Sequence, residues 1–168
     1  KTKDMSGDST AYLSAATANF TGGVTSLDSD GFTVGTNANV NSASVVYQWV
    51  AILSNGASNI SVGTYTGNGS DNRDITGLGF QPDMVIVKGN VAQLGVWKSS
   101  SMTGEKTEYF SATAELAADG IQSLSADGFQ IGTHVTVNNN TSVYYYIALK
   151  NVAGLFNVGT YTGNNTDN

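Results

Sequence analysis

The chain has 168 residues, a net charge of −6 and a sequence pI near 4.4. An acidic chain without a basic cluster repels phosphate backbones and anionic lipid, which argues against nucleic acid and membrane surfaces as partners. Cysteine is absent, so neither a disulfide framework nor thiolate chemistry is available, and a charged fraction of only 12% leaves solubility to Thr, Ser, Asn and Gly.

In chain order, the patterns are those of β-structure. GFTVGT, after Asp30-Gly31, reads as a short strand entered through a turn. SVVYQWVAIL (Ser44 to Leu53) is nearly continuous in β-branched and aromatic residues, which predicts a central strand buried on both faces. NISVGTYTGN is a further strand. Pro82 opens the run PDMVIVKG, where its missing N–H costs little. LGVWKSS sets Val96 and Lys98 against Trp97 and Ser99. Thr107 to Ala118 is the one predicted helix. GFQIGT, SVYYYIALK (Ser142 to Lys150) and FNVGTYTGN then repeat the earlier strand patterns.

That repetition is the main organising feature. VTSLDSDGFTVGTNANVN (Val24 to Asn41) returns as IQSLSADGFQIGTHVTVN (Ile121 to Asn138), an offset of 97, and VGTYTGNGSDN (Val62 to Asn72) returns as VGTYTGNNTDN (Val158 to Asn168), an offset of 96. A fixed period means one structural unit used more than once. Lys1 aligns with Lys98, and Asn168 with Asn72, so the chain reads as a window on a longer array. The units are residues 1–59, the end of one repeat; 60–156, a complete repeat; and 157–168, the first strand of another. The expected fold is all-β, in tandem antiparallel β-sandwich repeats of the jelly-roll or lectin-like kind. No apolar run reaches the length of a membrane span, and Lys1 is followed by polar residues where a signal peptide would be apolar; a targeting segment, if used, is expected upstream.

Few residues suggest chemistry. Asp28 and Asp30 in LDSDGF resemble the opening of a calcium loop, but the later ligands are missing and Ser125 replaces Asp28 in the second copy. An Asp-Gly hairpin turn explains what both copies share. His134, the single histidine, aligns with Asn37, which fits a turn residue and not a general base. Glu105, Glu108 and Glu115 align with Asp8, Ala11 and Ala18, so no acid pair is repeated, and neither a nucleophile elbow nor a phosphate loop is present. No enzyme and no cofactor are expected. In TYTGNGSDNR, Tyr65 with Asn68, Asp71 and Asn72 forms a candidate glycan contact, repeated at Tyr161; the competing reading is a strand end and an Asn-Gly turn. Trp49, Trp97 and Tyr146 sit in apolar β-runs and are candidates for packing between units.

GTYTGNGSDNRDITGLGFQPDMVIVK, then Trp97 and Met102, with SLDSDGFTVGTNANVN and an aromatic strand ending in Ala51, resembles the roughly 100-residue β-repeat of phage tail-fibre and other virion-associated proteins. Similar repeats occur in large microbial surface proteins. The resemblance implies a lectin-like sandwich in an extracellular appendage, on a virion or a cell surface, and it brings no catalytic residues. The strand after Pro82-Asp83 lacks the basic, His-containing stretch of the phage repeats. The expected role is a structural module that joins neighbouring copies of itself head to tail, with strand exchange where an edge is open. Carbohydrate binding is the alternative.

Overall fold

A computed structural model of the chain describes residues 1–54, 59–111 and 114–165. The elements run β1 (Val24–Leu27), β2 (Phe32–Val34), α1 (Ala38–Asn41), β3 (Ile60–Thr66), β4 (Arg73–Thr76), β5 (Met84–Gly89), β6 (Val96–Ser99), β7 (Glu108–Tyr109), β8 (Ile121–Ser125), β9 (Gly128–Ile131), α2 (Val135–Asn138) and β10 (Val143–Leu149). The fold is mostly β, and α1 and α2 are single turns of helix.

Three antiparallel sheets form: β3-β10-β5-β6-β7, β4-β9-β8, and the separate hairpin β1-β2. The aromatic, β-branched run of β10 is central because it is paired on both sides, from Tyr144↔Tyr65 to Leu149↔Ile60 on β3 and from Tyr144↔Gly89 to Leu149↔Met84 on β5. Alternation sends Val85, Val87, Val96, Tyr144 and Ala148 of the larger sheet into one core, where they meet Ile75, Ile121, Phe129 and Ile131 of the three-stranded sheet. Phe80, Leu78 and Val137 close its margins.

Turn chemistry joins the sheets. Gly77 and Gly79 adopt φ of 90° and 77°, a region favouring glycine, and their N–H groups donate to the Asp127 carboxylate at 3.0 and 2.6 Å. The GLGF and SADGF blocks are therefore two halves of one connection.

Four expectations need correction. No helix forms among the described residues of Thr107 to Ala118, of which 112–113 lie outside the described residues: Thr107 bridges Leu116, Glu108–Tyr109 forms β7 on the edge of β6, and the Thr107 hydroxyl donates to Ile121 O at 3.2 Å and accepts from Ile121 N at 2.9 Å. Pairing with a formed sheet edge overrides a weak helical pattern. Ser44 to Leu53 forms no strand, and Val46, Trp49, Val50 and Leu53 are 84, 71, 84 and 76% exposed. The segment aligned with it, β10, has two neighbouring strands; Ser44 to Leu53 has none among the described residues. The repeat of the GTYTG strand, 157–163, likewise forms no strand, and Val158 N donates to Asn151 Oδ1 at 3.1 Å. Finally, the expected tandem repeats are not formed among the described residues. Both larger sheets are drawn from residues 60–149, and the described residues of the first copy contribute the hairpin, α1, the Thr10↔Phe20 bridge and their loops.

Candidate interaction site

Local geometry recurs between the copies even though whole units do not. Lys1 Nζ donates to the carbonyls of Gly7 and Ser9 at 2.7 and 3.0 Å; Lys98 Nζ donates to those of Gly104 and Lys106 at 2.6 and 2.9 Å. Thr10 Oγ1 reaches Val24 O as Thr107 Oγ1 reaches Ile121 O. Both hairpins carry a register shift at the same place, Val24/Ser26 and Ile121/Ser123. Both short helices are capped by the residue that differs, since Asn37 accepts from Asn39 N at 3.0 Å and His134 Nδ1 from Thr136 N at 3.3 Å. This explains the Asn/His exchange: each offers one acceptor at an N-cap. Burial lowers the His134 pKa, which keeps that acceptor neutral, and Asp119 opposes the shift.

The copies differ in what fills the space between hairpin and aromatic strand. In the second copy Ile121, Phe129, Ile131, Val137, Tyr144 and Ala148 are fully buried. Tyr65 from β3 enters among them, stacks on Tyr144 with centroids 5.2 Å apart and 13° between planes, and meets Phe129 edge-on. Its hydroxyl donates to Val137 O at 2.8 Å. Burial, and then the neighbouring Tyr144, push the Tyr65 pKa well up, while Arg73, 5.5 Å over its ring, pulls the other way. In the first copy the aligned residues Val24, Phe32, Val34, Val40, Tyr47 and Ala51 instead line an open groove of about 400 Å³. The groove keeps the same internal furniture. Tyr47 hydroxyl donates to Ala38 O at 2.8 Å, as Tyr144 hydroxyl donates to Val135 O at 2.6 Å. Trp49 meets Phe32 edge-on at 5.5 Å and 73°, as Tyr146 meets Phe129 at 5.4 Å and 71°.

The residues singled out from sequence fall in different places. Tyr65 is a core residue and not a glycan platform, because a stacked, 8% exposed ring offers no face to a sugar. Asn68, Asp71 and Asn72 are exposed and serve the turn: Asn68 Oδ1 accepts from Ser70 N, Asp71 Oδ1 from Asn72 N. Tyr161, by contrast, is 95% exposed. Trp97 is partly buried in β6 opposite Ile86 and Glu108. Tyr146 packs within its own unit, against Phe129. Asp28 accepts from Thr33 Oγ1 at 2.9 Å, and Asp30 is exposed at the turn, where its counterpart Asp127 holds backbone N–H groups. Among the described residues no group of three or more His, Cys, Asp or Glu is placed to hold a metal ion. Glu115 pairs with Lys106 at 2.8 Å and Glu105 accepts from Asp119 N.

Sequence reasoning passed over Asn138. Fully buried, it donates to Ser70 O and Gly132 O at 2.7 and 2.9 Å and accepts from Asn68 N at 2.9 Å, so it organises the polar loop after β3. Its alignment with Asn41 was the available signal. Lys88 was also missed. It is 3% exposed, with carbonyls of Thr17, Gly89 and Val91 as acceptors at 2.8, 2.7 and 3.1 Å, and burial lowers its pKa to about 8. Thr17 lies in the first copy and Lys88 in the second, so this amine, with Gly95 N→Leu13 O at 2.8 Å, ties the two together.

The family described as Domain of unknown function (DUF7483) matches residues 1–168. The chain belongs to this family. No curated protein and no solved structure matches it. This DUF7483 chain thus presents, beside one closed core, an open groove built to the same plan.

Proposed function

We propose that the chain is a non-enzymatic structural module of an extracellular fibre or filament, a virion appendage or a microbial surface filament, whose units join head to tail. The observation that carries this reading is the recurrence, 97 residues apart, of the same lysine cage, hairpin bulge and capped helical turn. Turns, cages and packing residues are the parts that repeat. A site selected for catalysis has no need of a copy in every unit, whereas an array needs the same joints throughout.

Two sheets facing one core support a β-sandwich for the complete repeat. The contacts of Leu13 and Thr17 with Gly95 and Lys88 support direct packing between successive units. The resemblance of the GLGFQPD and SDGFTVG blocks to virion fibre repeats points the same way.

Lengthening the chain in register tests the reading. Asn168 aligns with Asn72, so a second copy of Arg73 to Asn168 added after Asn168 appends one whole period. Electron micrographs of such chains, with one to four added periods, should show a rod of constant width that lengthens by equal steps. Loose beads, or aggregates of no fixed width, would count against a coupled array.

A further inference from the structure

Among the described residues neither the groove segment 46–52 nor the exposed Tyr161 segment is paired as a strand in one molecule, although Val158 N donates to Asn151 Oδ1 at 3.1 Å, and both align with parts that are strand-paired in the second copy. Resting on the reading of the chain as an array module, we propose that the groove is a docking site for the Val158–Gly163 strand of a second copy of this chain, with Tyr161 as the residue that fills it.

The pairing of β10 with β3 supplies the register. Carried one repeat back on β10 and one repeat on from β3, Tyr144↔Tyr65 becomes Tyr47↔Tyr161, Tyr146↔Gly63 becomes Trp49↔Gly159, and Val143↔Thr66 becomes Val46↔Thr162. Tyr161 then stacks on Tyr47 against Phe32, and its hydroxyl meets Val40 O, the counterpart of Val137 O. Addition of a strand to an open edge also pairs the backbone groups of 46–52.

Glycine at 159 fits this role. A Cβ on Gly63 would run into the Tyr146 hydroxyl, so β10 requires glycine opposite that ring. A Cβ on Gly159 meets nothing within 4 Å in the single chain, yet glycine is retained opposite the position of Trp49. The turn that follows is also preserved: Asn165 has φ 59° where the aligned Gly69 has 71°.

Area and charge favour a second copy as the occupant. Val45, Val46, Trp49, Val50, Ile52 and Leu53 are 53, 84, 71, 84, 48 and 76% exposed. Together they present on the order of 500 Å² of apolar surface, at the upper end for a monomer. Neither 46–52 nor 158–163 carries a charged residue, so the contact adds no like-charge clash between two acidic chains. In a single chain the strand stands away from the groove, with Tyr161 95% exposed; two copies satisfy both at once, and one copy's remaining groove and strand are free to continue head to tail.

The chain has no cysteine, so engineered thiols report the contact cleanly. A Gln48→Cys chain is mixed with a Thr160→Cys chain of different tag length, the two positions being cross-strand neighbours in this register. A disulfide joining the two different chains is expected, above the yield of a Ser29→Cys and Thr160→Cys mixture. Adding Gly159→Val to the Thr160→Cys chain should lower that yield about tenfold, as should Tyr161→Ala. Circular dichroism of both variants should stay unchanged, because neither side chain is packed in the single chain. A yield no greater than the control, or closure within one chain in the Gln48→Cys/Thr160→Cys double variant, overturns the proposal. If the lengthened chains still form rods, the array reading survives that failure; if they do not, both fall.

Discussion

Tyr65 stacks on Tyr144 at 5.2 Å, whereas Tyr161 and Tyr47, which hold the same two places one repeat away, are 95 and 39% exposed. One sequence motif thus occurs in two states, filled and open. The filled state should carry most of the stability of the complete repeat. Tyr65→Ala is expected to cost about 3–5 kcal/mol and Tyr65→Phe about 1 kcal/mol, for the ring and for the bond to Val137 O respectively. Tyr161→Ala should leave the unfolding of the dilute chain unchanged. Urea denaturation of the three variants measures this.

Asn138 and Asn41 offer a second matched pair. Asn138→Ala strands the carbonyls of Ser70 and Gly132 and the N–H of Asn68, and should cost about 2–3 kcal/mol. Asn41 is exposed and donates only to Gly35 O among the bonds its aligned partner makes, so Asn41→Ala should cost less than about 0.5 kcal/mol. Equal costs in urea denaturation would contradict the reading that only the second copy is closed.

Asp127 is expected to be structural and not a metal ligand. Losing the carboxylate bonds to the Gly77 and Gly79 N–H groups in Asp127→Ala should cost about 1–3 kcal/mol. Asp30→Ala, at the aligned turn, should have little effect. Millimolar calcium should leave the thermal melts of both variants and of the parent chain unshifted; calcium-dependent melting lost in Asp30→Ala would restore the metal reading.

Two groups give pH dependences of like sign. Lys88 has a folded pKa of about 8 against an unfolded value near 10.5, so the unfolded chain holds the extra proton between those limits. Stability should rise as pH increases from about 8 toward 10, before the raised tyrosines act in the opposite direction, and Lys88→Met should flatten the slope. For His134 the folded pKa is lowered, so both states are neutral well above pH 6.5 and the cap is intact there. Stability should fall as pH drops through the unfolded value. His134→Asn, which installs the residue found at Asn37, should remove that part of the acid sensitivity while keeping the cap. Calorimetric melts across pH 5–10 read both.

Local β-pattern was legible in the sequence, and long-range pairing was not. MVIVKG, VWKS, GFQI and VYYYIAL became strands because their alternation and β-branching suit a pleated surface. VVYQWVAIL has the same qualities as VYYYIAL and yet forms no strand, because a strand is completed by its neighbours and not by its own residues. The helix expected over Thr107 to Ala118 failed for a related reason: the edge of β6 was waiting for Glu108–Tyr109. Tyr65 looked like a surface aromatic in a polar loop. Only the fold reveals that its strand delivers the ring inward while Asn68, Asp71 and Asn72 remain outside.

The central claim, that these residues were selected to join units and hold a shape, is tested most directly by calorimetry of the 168-residue chain beside chains lengthened by one, two and three periods in register. Coupled units should melt in one transition whose midpoint climbs with each added period and then levels off. A midpoint that stays fixed while the heat merely scales with the number of periods would mean that neighbouring units do not stabilise one another, and would contradict the claim.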